Sequence, residues 1–150
     1  MSGRIEKTGP GVFTAMDVAA SGLTAERSRM NIIASNLANA RTTKTEEGTP
    51  YKRQDPVFAA QPAFGTTGDP VLSAVRKVEL SSVRQDDAPG QMVYDPGHPD
   101  ANPDGYVEYP NVNTVTEMVN MMSASRAYEA GVTSIESLKA MARAALKIGR

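Results

Sequence analysis

From Met121 onward the chain repeats a seven-residue pattern. Met121, Tyr128, Ile135 and Ala142 are each followed three positions later by Ala124, Gly131, Leu138 and Ala145. An a/d ladder held for about three and a half heptads predicts one long helix within Asn111–Arg150, packed along a continuous seam. Its Ala and Gly rungs suit close approach more than a bulky core. Thr114 followed by Glu117 predicts a capping box at its start, and no proline follows Pro110. Such a helix is roughly 50 Å long at ~1.5 Å per residue, and one so one-sided needs a partner.

A second ladder runs from Val12 to about Ala40. Met16, Leu23, Met30 and Leu37 lie seven apart, Ala19, Ile33 and Ala40 take the following rungs, and Glu26 interrupts the series. Ala20 and Ala34 are expected to widen the stripe, and Glu26 to pair with Arg29 across one turn. Gly22 lowers helix propensity and suggests a close contact. Two helices with matching seams predict an antiparallel N-terminal/C-terminal pair.

Between them the pattern changes. Nine of the ten prolines fall in 42–110, which excludes long helix there. Alternating or β-branched runs at Tyr51–Ala60, Val71–Val83, Met92–Tyr94 and Tyr106–Tyr109 predict short strands, with Gln61–Pro70 as an open loop and a dense turn from Asp95 to Gly105. The expected fold is α+β: a disordered or late-ordering polar tail at 1–11, a coiled-coil-like helical part from 12–41 plus 111–150, and a small β-rich part at 42–110. The middle has few large apolar groups, so its core is expected to be thin.

Charge narrows the function classes. Sixteen basic residues against seventeen acidic ones lack the excess that a nucleic-acid binder needs. No apolar run is long enough to span a membrane, and the first residues lack the apolar core of a cleavable signal peptide. The absence of cysteine excludes disulfides and thiolate chemistry without fixing the compartment.

Candidate chemistry is sparse. Asp100, Asn102, Asp104 and Gly105 fit the first half of a calcium loop, but its twelfth position is Asn111 where a bidentate Glu is required. The same residues are ordinary turn formers. His98, the only histidine, cannot assemble a multi-histidine zinc site. No phosphate-binding loop, nucleophile elbow or dinucleotide fingerprint occurs. The expectation is no enzyme, no cofactor, no resident metal and no small-molecule substrate. Lys139, Arg143, Lys147 and Arg150 make a basic edge, which suits a helix C-terminus or the acidic groups of a neighbouring subunit.

The motifs themselves are informative. Ala34-Ser35-Asn36-Leu37-Ala38-Asn39-Ala40 resembles the signature that closes the N-terminal helix of the bacterial flagellar rod and hook proteins. Asn111-Val112-Asn113, Glu117-Met118-Val119-Asn120-Met121-Met122 and Ser125-Arg126-Ala127-Tyr128-Glu129-Ala130 resemble that family's C-terminal helix. Tyr94–Asn102 and Gly105–Asn113 narrow the resemblance to the proximal part of the rod. The resemblance implies a structural subunit whose terminal helices pair and stack helically around a central export channel. It implies export by the flagellar type III apparatus without a cleaved signal, and assembly in the periplasmic space beside the membrane ring, other rod proteins and copies of itself.

Residues on both ladders and in the motifs then mark the expected assembly interface: Met16, Leu23, Met30, Ile33, Asn36, Leu37, Asn39, Met118, Met121, Tyr128, Ile135 and Leu138. Two seams offering more apolar surface than one pair buries agree with an oligomer, and a non-closing contact repeated along an axis makes a filament. The competing reading is a helical hairpin presenting its loops to a ligand, with Ca²⁺ at 100–111.

Overall fold

The computed structural model describes residues 12–64 and 73–148, so the 1–11 tail, Val71 and Arg150 lie outside the described residues. Two long helices, α1 (Val12–Ala38) and α2 (Thr114–Ile148), enclose four short strands in sequence, as an α+β chain. The helices are antiparallel. Asn36 meets Glu117 near one end, and Leu23 meets Gly131 further along, thirteen residues back on α1 and fourteen forward on α2.

The expected ladders form the contact between them. On α2 each rung from Met121 to Ala142 is buried or half-buried, Ala124 completely, whereas Ala145 is exposed. On α1 each rung from Met16 to Ala40 is protected, Ile33 most of all, and Arg29 stands 3.9 Å from Glu26. Close approach occurs at Gly131, where a Cβ would come within 2.7 Å of Leu23 Cδ2. Gly22 has no such role, since a Cβ there meets nothing within 4 Å.

The stripe on α1 widens on the opposite flank from the one expected. Ala20 and Ala34 are exposed, while Gly22, Ala25, Arg29, Ile32 and Asn36 are protected. The cause is a β-ribbon. β1 (Gln54–Pro62) pairs antiparallel with β2 (Arg76–Gln85), from Gln54↔Gln85 to Pro62↔Arg76, with an irregularity at Val57/Phe58. The ribbon lies along α1. Gln54 bonds Asn36, the Val78 amide donates to Ser21 Oγ (3.1 Å), and Lys77 reaches Asp17 (3.9 Å). Nine extended residues cover ~30 Å, about the rise of α1 from Asp17 to Asn36. So α1 is held between α2 and the ribbon.

The bounds of β1 and β2 differ from the expected ones by two to five residues, β3 starts one residue earlier than expected, and β4 has the expected bounds. Gln61 and Pro62, expected in a loop, continue β1, and Ala63 N still donates to Val75 O. Pro56 and Pro62 are tolerated because a two-stranded ribbon leaves β1 an unpaired edge. β3 (Gln91–Tyr94) and β4 (Tyr106–Tyr109) form a second hairpin. Gly105 at its turn has φ +80° and lies so close to Tyr94 that a Cβ would clash.

The expected capping box is not formed. Asn113, one residue before the helix, accepts from Thr116 N through Oδ1 (3.0 Å), and the Glu117 carboxylate is used elsewhere. Asn caps at least as well as Thr and here takes the cap position itself. Among the described residues the buried hydrophobic side chains are Ala25, Ile33, Val107 and Ala124, of which only Val107 and Ala124 are fully buried, a thin core for so long a fold.

Candidate functional site

The end where α1 stops and α2 starts is polar inside. Asn36 is 1% exposed, and all four hydrogen-bonding positions of its amide are filled. Its Nδ2 donates to Gln54 O (2.9 Å) and Glu117 Oε2 (3.0 Å), and its Oδ1 accepts from Gln54 N (2.9 Å) and Tyr51 OH (2.9 Å). By bonding both the N–H and the C=O of Gln54, Asn36 does for β1 what a neighbouring strand would do.

Glu117 occupies the next ladder position below Ala124 and is also 1% exposed. Its Oε1 accepts from Arg53 Nε (2.9 Å) and Asn120 Nδ2 (3.4 Å). Arg53 also donates to Asp55 (2.5 Å). Burial works against the Arg53 charge, but the bonds to Asp55 and Glu117 outweigh it, leaving its pKa above the ordinary value. Asn111 completes the junction. Its Oδ1 takes the Arg53 amide (2.8 Å), and its Nδ2 holds the carbonyls of Asp86 (2.9 Å) and Ala88 (3.1 Å). A buried carboxylate is tolerated because each oxygen has a donor.

The outer side of α2 is different. Val115, Met118, Val119 and Met122 stand at i, i+3, i+4 and i+7, each more than half exposed. A stripe of that spacing on the face turned away from the seam is the surface a further helix would cover. Toward the other end of the pair, Phe13, Met141 and Leu146 are also exposed.

The interface residues expected from the ladders therefore fall in different places. Met16, Leu23, Met30, Ile33, Leu37, Met121, Tyr128, Ile135 and Leu138 line the protected seam side of the two helices. Asn36 is in the junction. Asn39 closes the end of α1, with Nδ2 on Ser35 O (2.9 Å) and Oδ1 accepting from Thr42 Oγ1 (3.2 Å). Met118 faces outward. Sequence reasoning missed Tyr51, Arg53 and Asn111, whose partners are remote in the chain. It also missed Val115, Val119 and Met122, which the helical spacing around Met118 could have shown.

The calcium-loop reading is not supported. Asn102 Oδ1 accepts from Asp104 N (3.0 Å) and Tyr106 N (2.8 Å), which makes a turn. Asp100 Oδ2 accepts from Thr43 Oγ1 (2.7 Å). His98 Nδ1 accepts from Asp100 N (3.1 Å), and its ring packs edge-on against Tyr109. These residues close the β3–β4 hairpin and tie it to the end of α1. Among the described residues no group of His, Asp and Glu could hold a metal ion, and no helix is long and apolar enough to cross a membrane.

Comparison with known proteins addresses both helices. Residues 16–43 match the family described as flagella basal body rod protein, and residues 104–148 match the C-terminal family of flagellar basal body rod FlgEFG proteins. Whole-chain relatives carry the name flagellar basal-body rod protein FlgC. That of Borreliella burgdorferi is 43% identical over 148 residues, covering 92% of this chain and 97% of the relative. That of Escherichia coli O157:H7 is 42% identical over 134 residues (89% and 95%), and that of Bacillus subtilis 40% over 150 residues (92% and 98%).

The chain belongs to the FlgC family of flagellar basal-body rod proteins. Members of this family are structural rod components and not enzymes. The matched segments are the two helices with the asparagine motif and the start of α2, so the junction joins the two matched regions.

Proposed function

We propose that this chain builds the proximal rod of the flagellar basal body, co-assembling helically around the export channel with copies of itself and with other rod proteins. It reaches the periplasmic space through the flagellar type III apparatus, and it contacts the membrane-ring and rod-base components there. In this reading 12–41 with 111–150 is the helical part and 42–110 is a smaller outer part. The twelve ladder and motif residues act at two levels. Those in the seam set the shape of the subunit, and Met118 with its neighbours meets the next one.

One observation carries this. After α1 and α2 have closed their mutual seam, α2 still presents Val115, Met118, Val119 and Met122 to solvent as an ordered stripe. A thin core elsewhere is compatible with unfolding for export. Deletion of the chromosomal copy tests the reading. Motility and rod formation are expected to disappear and to return on complementation, with the chain recovered in purified basal bodies. Normal rods in the deletion strain would overturn it.

A further inference from the structure

The β3–β4 hairpin ends in an open strand. At its turn Asp95 N donates to Gly105 O (2.9 Å) across the ladder. One step on, Tyr106 opposite Tyr94 turns its backbone outward, its N–H to Asn102 Oδ1 (2.8 Å) and its C=O to Asn102 N (2.8 Å). An antiparallel ladder alternates with a period of two, so the N–H and C=O groups of Met92 and Tyr94 point away from β4. Among the described residues no third strand lies on that side.

The side chains along this edge are uncovered as well. Val107 on β4 is completely buried, whereas Met92, Val93 and Tyr94 on β3 are exposed. Tyr106 is exposed too, its ring edge-on to Tyr94 with centroids 5.2 Å apart. The hairpin is thus seated on the rest of the chain through β4, with β3 outermost. β3 reads Gln-Met-Val-Tyr, with no Lys, Pro or bulge to blunt it. A hairpin of two strands is marginal and gains from a third.

Charge says what that third strand must be. Residues 86–109 contain six carboxylates and no Lys or Arg. Among the described residues only Asp87 of these forms an ion pair with a Lys or Arg, at Lys52. Asp95 and Glu108 accept from the amides of Gly97 and Gly90, neutral donors that leave their charges in place. Asp95 follows Tyr94 directly, and Glu108 stands opposite Met92. The faces of the two tyrosine rings also attract cations.

We infer that the outer edge of β3 takes an extended, basic segment of a protein other than this chain as its third strand. Main-chain bonds to Met92 and Tyr94 supply the pairing, apolar side chains of the segment cover Met92, and its Lys or Arg side chains meet Tyr94, Asp95 and Glu108. A second copy is rejected as the occupant, because two such hairpins edge to edge bring like charges together. The use of the edge in assembly rests on the rod-subunit reading; the binding itself is measured on the isolated chain.

The test is an amide NMR titration of the full chain with an alternating Lys-Val octapeptide. The largest shifts are expected at the Met92 and Tyr94 amides, with a dissociation constant tighter than about 1 mM that weakens in high salt. The Glu-Val counterpart and a fully N-methylated Lys-Val peptide, which keeps the charge but cannot pair, are expected not to bind. Binding of the N-methylated peptide at equal strength, shifts centred elsewhere, or no shifts at all would each overturn the proposal. So would shifts of the same amides when the chain alone is concentrated, which would make a second copy the occupant. Met92→Lys places a cation on the edge and is expected to abolish binding with Val107 unperturbed, while Met92→Leu binds as the parent does. In cells Met92→Lys is expected to be missing from basal bodies, and its normal incorporation would also overturn the proposal. The rod-subunit reading fails separately, if cells lacking the chain still build rods, and that result leaves the peptide titration untouched.

Discussion

Asn36 and Glu117 are 81 positions apart, yet they share a 3.0 Å hydrogen bond with each residue only 1% exposed. That bond connects the last turns of α1 to the first turn of α2. The other bonds of the same Asn36 amide fix the start of β1. One side chain therefore sets how the helical pair and the ribbon are placed relative to each other. Asn36→Ala would leave Gln54 N, Gln54 O, Tyr51 OH and a Glu117 oxygen without this partner. With buried polar groups costing about 1–3 kcal/mol each when unpaired, the loss is expected to reach about 3–5 kcal/mol after local water entry. Tyr51→Phe removes one donor and should cost about 1 kcal/mol. Urea unfolding followed by circular dichroism checks the order of the two variants.

The two helical glycines are expected to respond in opposite directions. Gly22→Ala meets open space, so helix propensity alone acts and the variant should gain up to about 1 kcal/mol. Gly131→Ala drives a methyl into Leu23 and should lose about 1–3 kcal/mol despite the better propensity. Replacing Leu23 with Ala in the Gly131→Ala background should recover part of that loss. Equal effects at the two positions would contradict the seam described here.

How much of this was legible in the sequence depends on how local the cause is. The heptads of α2 were readable because period and packing share one face, and the ladder from Met121 to Ala142 is the observed seam. On α1 the same reading put the wider flank at Ala20 and Ala34. The ribbon that covers Gly22, Ala25, Ile32 and Asn36 is brought there by a loop and two strands, which leave no mark on the helix pattern itself. Glu117 looked like a capping residue because its neighbour Thr114 was in view and its true partners, Asn36 and Arg53, were not. The turn at Asp100–Gly105 was legible as a turn, since its bonds are made within a few residues.

Lys52 and Asp87 form an exposed ion pair at 2.7 Å that ties the start of β1 to the turn after β2. The hydrogen bond from Lys52, with its charge, holds the Asp87 pKa below its ordinary 3.8, and the same bond raises Lys52 above 10.5. A lowered acid contributes its stabilisation above 3.8 and loses it as pH falls through the shifted value. A raised base contributes below 10.5 and loses it as pH rises through its own shifted value. The pair is therefore intact across the neutral range. An NMR titration of the Asp87 carboxyl should give a midpoint below the usual aspartate value, and Lys52→Met should return it toward that value.

The last prediction separates the inner and outer faces of the helices. Ile135 is half-buried on the seam, so Ile135→Asp places a charge between α1 and α2 and should cost about 3 kcal/mol or more. The purified variant is expected to lose helical signal and to be absent from basal bodies. Met118 is 56% exposed, so Met118→Asp should change the stability of the free chain by no more than about 0.5 kcal/mol. Its effect should appear only in the assembled particle, as loss of motility and of incorporation, because the charge then lies under a neighbouring subunit. If Met118→Asp swims normally, the outer stripe is not an assembly surface. If Ile135→Asp keeps full helicity and still fails to assemble, Ile135 faces a neighbour instead of α1.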